Sequence, residues 1–283
     1  MLRLLALALA ILSAAAWAQP QGGALKRIKE SGTINLGYRD HAAPFSFRGT
    51  DGRPAGYSVD LCTRIASAIK QELKLPALKV NWVPVEAQTR LKAVADGKVD
   101  MECGMTTVTV ARQKEVDFSN LIFVDGGNML LRDDATVHRA PDLAGRRIAV
   151  QGGTTTEQIL RQTLKAQRVE AEVVRVKSLA EGLALVEDGK AAALAGDRIS
   201  LVMQAKHARD PDKLQMLEQD YSYEPYAIMV PRGDADLRLA VNRELARVFR
   251  SGEISDVLNH WFGALGTPSI LLTSMVYLNS IPE

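Results

Sequence analysis

The 283-residue chain carries 35 Lys and Arg against 33 Asp and Glu, a net charge of +2. That near-neutral balance excludes the basic face a nucleic-acid binder needs, and 24% charged with 47% hydrophobic residues is ordinary for a soluble globular protein. Two cysteines (Cys62, Cys103) and four scattered histidines (His41, His138, His207, His260) form no cluster with metal-ligand spacing, so no metal or cofactor is expected and each histidine reads as a surface or packing residue.

Residues 1–18 read as a secretory signal peptide: Arg3 gives a positive start, residues 4–12 an apolar run, and Ala16-Trp17-Ala18 a small-x-small cleavage site. Cleavage is expected after Ala18, and the apolar run is too short to span a bilayer. No Cys immediately follows that site, so no lipid attachment point is expected. In an oxidising compartment a Cys62–Cys103 disulfide is the favoured reading, with two buried free thiols the alternative. The remaining ~265 residues suffice for one large domain or two ordinary ones.

TINLGYR (33–39) reads as a buried strand, followed by a loop holding Pro44, Gly49, Gly52 and Pro54. Over 56–73, Val59, Cys62, Ile65, Ala66 and Ile69 recur at helical spacing. KVNWVPV (79–85) is a strand, 88–95 a helix stopped at Asp96-Gly97, and KVDMECG (98–104) a third strand. RRIAVQ (146–151) is a strand, and GGTTTEQ (152–158) opens a helix with Thr154 as N-cap and Glu157 three residues on, a capping box. AEVVRV (171–176), a helix over 179–187, a stop at Asp188-Gly189 and AAALAG (191–196) complete this half. An extended strand over 223–230 follows, then an amphipathic helix over 234–253 and another over 254–262. The apolar tail after Pro268 reads as packing on the fold rather than as a membrane anchor.

One phrase occurs twice. LKAVADGKVDMECG (91–104) and LALVEDGKAAALAG (183–196) share Leu, Val, Asp, Gly, Lys and the closing Gly. Each encodes a helix, a Gly stop and a buried strand. Alternating strands and helices imply parallel α/β sheets, and two such units imply two α/β lobes. Ligands bind beyond the carboxyl ends of such strands. The polar residues at those positions are Arg39 and Asp40, Arg90, Thr106, Thr107 and Arg112, residues 154–156, and Asp197.

GYRDHAAPFSF, GYSVDLC, MECGMTTVTVARQKEVDFSNLIFV and GGTTTEQ, in that order, resemble the type II periplasmic solute-binding proteins of ABC amino-acid importers (solute-binding protein family 3), and within them the glutamate/aspartate-binding branch. The likeness spans about residues 30–263. It implies a two-lobed α/β clamshell, each lobe a mainly parallel sheet flanked by helices. Lobe one would comprise 25–124 and 226–283, lobe two 127–222, with hinges near 124–128 and 221–225. The resemblance implies a ligand held between the lobes by six residues. Arg112 would grip its α-carboxylate, with Thr107 donating a hydrogen bond and Thr155 completing the site at a helix N-terminus. Asp197 would take the α-ammonium, and Arg39 and Arg90 a side-chain carboxylate. It further implies a monomer in the periplasm that delivers its amino acid to inner-membrane permease subunits, with no catalytic residue.

The sequence departs from that branch at Ala87 and Met105, where it usually has Ser, at Leu179, near which it has a His, and at Ala195-Gly196, where it has a bulky pair. The grips on the α-groups are kept, and the distal pocket loses neutral polar partners and gains volume but keeps two arginines, whose burial without an anion would be costly, so an acidic ligand, longer or bulkier ones included, is expected. Phe45 and Phe47 are placed to line the cleft or to pack in the core. Two rivals share the fold. A periplasmic cyclohexadienyl or arogenate dehydratase would need a general acid in the cleft, for which Glu102 and Asp40 are the candidates. A sensor ectodomain would be expected to precede a transmembrane helix and a signalling module, and neither follows here.

Overall fold

The computed structural model describes residues 23–134, 137 and 139–282. The proposed signal peptide and His138 lie outside them. Twelve strands are described: β1 (Thr33–Tyr38), β2 (His41–Ala42), β3 (Ser46–Arg48), β4 (Pro54–Ala55), β5 (Lys79–Pro84), β6 (Met101–Glu102), β7 (Val116–Arg132), β8 (Arg147–Gln151), β9 (Glu172–Val176), β10 (Ala193–Asp197), β11 (Leu214–Met216) and β12 (Ser222–Pro231). The helices are α1 (Ala24–Ser31), α2 (Tyr57–Glu72), α3 (Arg90–Ala95), α4 (Thr155–Ala166), α5 (Leu179–Glu187), α6 (Arg198–Lys206), α7 (Ala235–Arg250), α8 (Glu253–Phe262) and α9 (Ile270–Leu278). Short β2–β3–β4 form a separate antiparallel sheet.

The other strands make one sheet in the order β5-β1-β6-β12-β7-β10-β8-β9, with β11 also on β7. Each flank is parallel: β5, β1 and β6 on one side, β10, β8 and β9 on the other. Between them β7 and β12 run antiparallel from Ser222 opposite Gly127 to Pro231 opposite Val116. The near end of β7 pairs with β12, and its far end, Gly127 to Leu131, pairs with β10. This single 17-residue strand therefore belongs to both halves. The repeated phrase is α3–β6 in the first half and α5–β10 in the second. Gly97 and Gly189 take φ of +69° and +68°, the left-handed turn at which glycine costs least.

Each half has its own core. Leu36, Ile65, Ile122, Ile228, Val241 and Val248 belong to one cluster on the first half, and Val99, Val116 and Met229 to another. Ile148, Val150 and Leu160 sit in one cluster of the second half, and Ala149, Leu183, Leu194 and Leu201 in the other. Successive residues of β8 and β10 thus point to opposite clusters, as strand alternation requires. Phe45 is fully buried against Tyr57, Phe123, Tyr226 and Phe262, while Phe47 packs edge-on against Trp261. Both are packing residues. The apolar tail forms α9, which buries Leu272 and Met275. Among the described residues no helix is long and apolar enough to cross a membrane.

Several expected elements differ in extent. The expected third strand shrinks to Met101–Glu102, although its hydrogen bonds to β1 reach from Asp100 N–H (to Asn35 O, 2.8 Å) to Cys103 N–H (to Gly37 O, 2.8 Å). The capping box is half as expected. Thr154 accepts from Glu157 N–H, but the Glu157 carboxylate reaches Gly153 N–H rather than that of Thr154.

Cys62 on α2 and Cys103 beside β6 are disulfide-bonded, both fully buried. The bond spans 41 residues, so the chain-entropy model gives it about 4 kcal/mol. Protein refolded and held in reductant should melt roughly 8–16 °C below the oxidised form in calorimetry; equal melting temperatures would show that the bond adds no stability.

Candidate functional site

The carboxyl ends of β1, β6 and β10 and the N-terminus of α4 meet where the two halves face each other. A narrow cavity of about 30 Å³ lies there. From the first half Arg39, Arg90, Met105 and Thr107 line it, with His41 and Ala42 at one side. From the second half come Gln151, residues 154–156, Leu179, Ala195, Gly196 and Asp197. Five of the six expected ligand residues therefore share one cavity. Arg112 does not line it, but lies directly behind Thr107, donating from Nη1 to the Thr107 carbonyl at 2.7 Å.

The cations reach the cavity by different routes. Arg39 follows β1; its N–H donates to Ser46 Oγ at 2.9 Å, and its buried guanidinium makes no hydrogen bond to the described residues. Arg90 opens α3. Its Nε donates to Thr106 Oγ1 at 2.7 Å, its Nη1 to the Ala87 carbonyl, and the Thr106 hydroxyl passes the chain on to Glu102 Oε2 at 2.9 Å. Burial lowers the pKa of all three arginines; for Arg90, burial together with the neighbouring Arg39 and Arg112 charges brings it down to about 9. Glu102, fully buried, partly offsets Arg39 and Arg90, and its own pKa is raised by burial. Cationic sites that lack their full complement of anions favour an anionic guest.

Asp197 ends β10. Its Oδ1 accepts from the Thr156 hydroxyl and its Oδ2 from the Tyr226 hydroxyl, both at 2.6 Å. Burial, then the nearby Glu224 carboxylate, pushes its pKa up to about 6. Asp125 on β7 sits one shell further out, accepting from Gly126 N–H and Ile199 N–H, and burial with the Asp197 charge pushes it up to about 8. At α4 the first-turn N–H groups of Thr155 and Thr156 face the cavity end of the helix, where free donors and the helix dipole favour an anion.

Some site residues carry no local sequence signal. His41 was expected at the surface or in packing; it is exposed and also borders the cavity. Gln151 and Glu224 were not anticipated. The Glu224 Oε2 atom accepts from the Thr107 hydroxyl at 2.6 Å and from the Thr155 hydroxyl at 2.7 Å, so both hydroxyl protons point away from the cavity. The expected gain in volume at Ala195-Gly196 is also qualified. A Cβ at Gly196 would lie 2.9 Å from Leu201 Cδ2 and 3.2 Å from Leu179 Cδ2, so these leucines already fill that space. Neither carboxylate considered for the dehydratase reading lines the cavity. Glu102 is bonded to Thr106, and Asp40 to Arg48.

Residues 23–264 match the model of the bacterial extracellular solute-binding proteins, family 3. The chain is 38% identical over 258 residues to the L-glutamate/L-aspartate-binding protein of Pseudomonas aeruginosa, covering 91% of this chain and 85% of that one. It is 30% identical over 241 residues to the glutamate/aspartate import solute-binding protein of Escherichia coli K12, covering 85% and 80%. Among solved structures, an ancestral amino acid-binding protein described as a precursor of cyclohexadienyl dehydratase superposes with a TM-score of 0.73 at 28% identity, covering 84% of this chain and 99% of that one. With the two-lobed α/β architecture and a match over nearly all the described residues, the chain belongs to the bacterial extracellular solute-binding proteins of family 3.

Proposed function

We propose that the protein is the extracytoplasmic binding component of an ABC amino-acid importer, exported to the periplasm and taking an L-amino acid with an acidic side chain. The observation that carries this is the convergence of Arg39 and Arg90 on one cavity whose opposite wall holds Asp197, with Arg112 bonded to the carbonyl of the lining residue Thr107. A ligand with two carboxylates and one ammonium matches that charge pattern. Arg112 and the N–H groups opening α4 would hold the α-carboxylate, since a guanidinium fork pairs both oxygens. Asp197 would take the α-ammonium, already oriented by Thr156 and Tyr226. Arg39, with its unused donors, and Arg90 would hold the side-chain carboxylate. Thr107 and Thr155 serve this scheme through backbone groups and position, because their hydroxyls are engaged by Glu224.

The lobes of this scheme are 25–124 with 226–283, and 127–222. They would turn about 124–128 and 221–225, where β7 and β12 cross from one core to the other. A ligand held from both sides has more contacts in the closed form, and this differential affinity is what closes the lobes. The closed monomer would then present itself to a membrane permease. The glutamate/aspartate names of the relatives at 38% and 30% identity support the ligand class. A binding role is favoured over the dehydratase reading because neither Glu102 nor Asp40 lines the cavity.

Residues 19–283, stripped of carried ligand by unfolding and refolding, should respond to L-glutamate or L-aspartate in a thermal-shift panel. At about 1 mM, a micromolar ligand stabilises by about 4 kcal/mol, or roughly 10 °C at this size. Arg112→Ala should abolish the shift. No response to any amino acid or dicarboxylate would overturn the proposed ligand class. Affinity should also depend on pH with a defined sign. Asp197 must be ionised to hold an ammonium, and its unliganded pKa is raised to about 6. Binding is therefore full above that value and weakens as pH falls through it, by about tenfold per unit. Calorimetric titration at pH 7.5 and 5.0 should show the loss in the native protein. Asp197→Asn should bind weakly at both, and a wild-type affinity that does not change between the two would count against Asp197 as the ammonium partner.

A further inference from the structure

Glu224 has no part in the binding scheme above, yet it is fully buried at the point where both lobes and a crossing strand meet. Three hydroxyls donate to it. Ser222 reaches Oε1 at 2.7 Å from the same strand, while Oε2 takes Thr107 at 2.6 Å and Thr155 at 2.7 Å. Thr107 belongs to the first half, in the loop after β6, and its backbone is held by Tyr226 of β12 and by Arg112. Thr155 belongs to the second half, as the first residue of α4. The two threonine hydroxyls also lie 3.1 Å from each other. One carboxylate oxygen therefore bonds the two halves of the molecule at the edge of the cavity.

We infer that Glu224 is a positioning residue that latches the lobes in the closed form, before and independently of ligand contact. Opening would carry Thr155 away with α4 and leave one short charge-assisted bond unmade, while Thr107 and Ser222 stay with the strand. Hydrogen bonds to a charged acceptor are the strong ones, and here both threonine donors are buried, so water competes weakly for them. A latch of this kind raises the fraction of molecules already competent to bind, which raises apparent affinity by the same factor. It also turns both hydroxyl protons from the cavity, leaving the α-carboxylate to Arg112 and the α4 N–H groups.

The inference rests on the lobes closing about the crossing strands, but not on the identity of the ligand. The test therefore reads ligand-free protein. One label on each lobe, at Gln71→Cys in α2 and Lys165→Cys in α4, both exposed, reports the interlobe distance distribution by pulsed spin-label measurement. Thr155→Val, which keeps the shape and removes the hydroxyl, should lower the closed-to-open ratio about tenfold, and Glu224→Ala at least as much. Thr155→Ser, which keeps the hydroxyl, should leave it near the wild-type value, and that rescue separates the latch from a general packing defect. Adding Thr155→Val to Glu224→Ala should change little more, because both remove the same bond. Wild-type protein as open as the Glu224→Ala variant, or Thr155→Val indistinguishable from wild type, would overturn the latch. A ligand panel that found no response would overturn the ligand class and leave these distances as they are.

Discussion

Everything at the cavity depends on the antiparallel pairing of β7 with β12. The two strands pass through both halves of the sheet, so the cores that flank them are tied by main-chain hydrogen bonds rather than by a loose linker. The register slips twice, around Ala227, close to where Tyr226 turns its hydroxyl to Asp197. Such irregularities re-aim side chains next to functional sites. The same pair supplies Asp125 and Glu224, so two acids are fixed to the axis on which the halves would turn.

That placement accounts for the electrostatics of the cleft. Three arginines are buried or half-buried around one cavity, a costly arrangement without nearby anions. Glu102 offsets Arg39 and Arg90, while Glu224 leads the carboxylates that favour the charged form of Arg112, with Glu102 and Asp197 behind it. The compensation is spread across both lobes and the crossing strand, so no single half could hold all three guanidiniums at the same cost. The charges thus favour the assembled cleft, and they still leave Arg39 with donors to offer a guest.

The repeated phrase made the two-lobe architecture legible, because a helix, a left-handed glycine and a buried strand are local features with local signals. Arg39, Thr107, Thr155 and Asp197 could be nominated as residues that follow strands. β7 was not legible as one strand. Gly126-Gly127 interrupts its β-forming residues and reads as a break, yet the glycines are needed there: a Cβ on Gly126 would run into Asp220, and one on Gly127 into Ser222. Glu224 was hidden for a related reason. Beside Pro225 on an extended strand, it carries no local signal, and only its pairing across to Thr107 and Thr155, 117 and 69 residues away, gives it a role.

The distal wall shows how a substitution is misjudged when taken alone. Glycine and alanine at 195 and 196 suggest added room. Gly196 is instead small because Leu179 and Leu201 press against it from behind, and Leu179 also borders the cavity. Leu179, where the acidic branch has a histidine nearby, and Gly196, where it has a bulky residue, therefore form one packing solution. What changes is the chemistry of the wall more than its size. Met105, Leu179 and Ala195 make it apolar, Arg39 and Arg90 remain its cations, and His41 stands at its border from the opposite lobe. An acid whose carboxylate lies at the end of an apolar stem fits such a wall, because the stem loses no hydrogen bonds against it and the terminal charge meets the arginines.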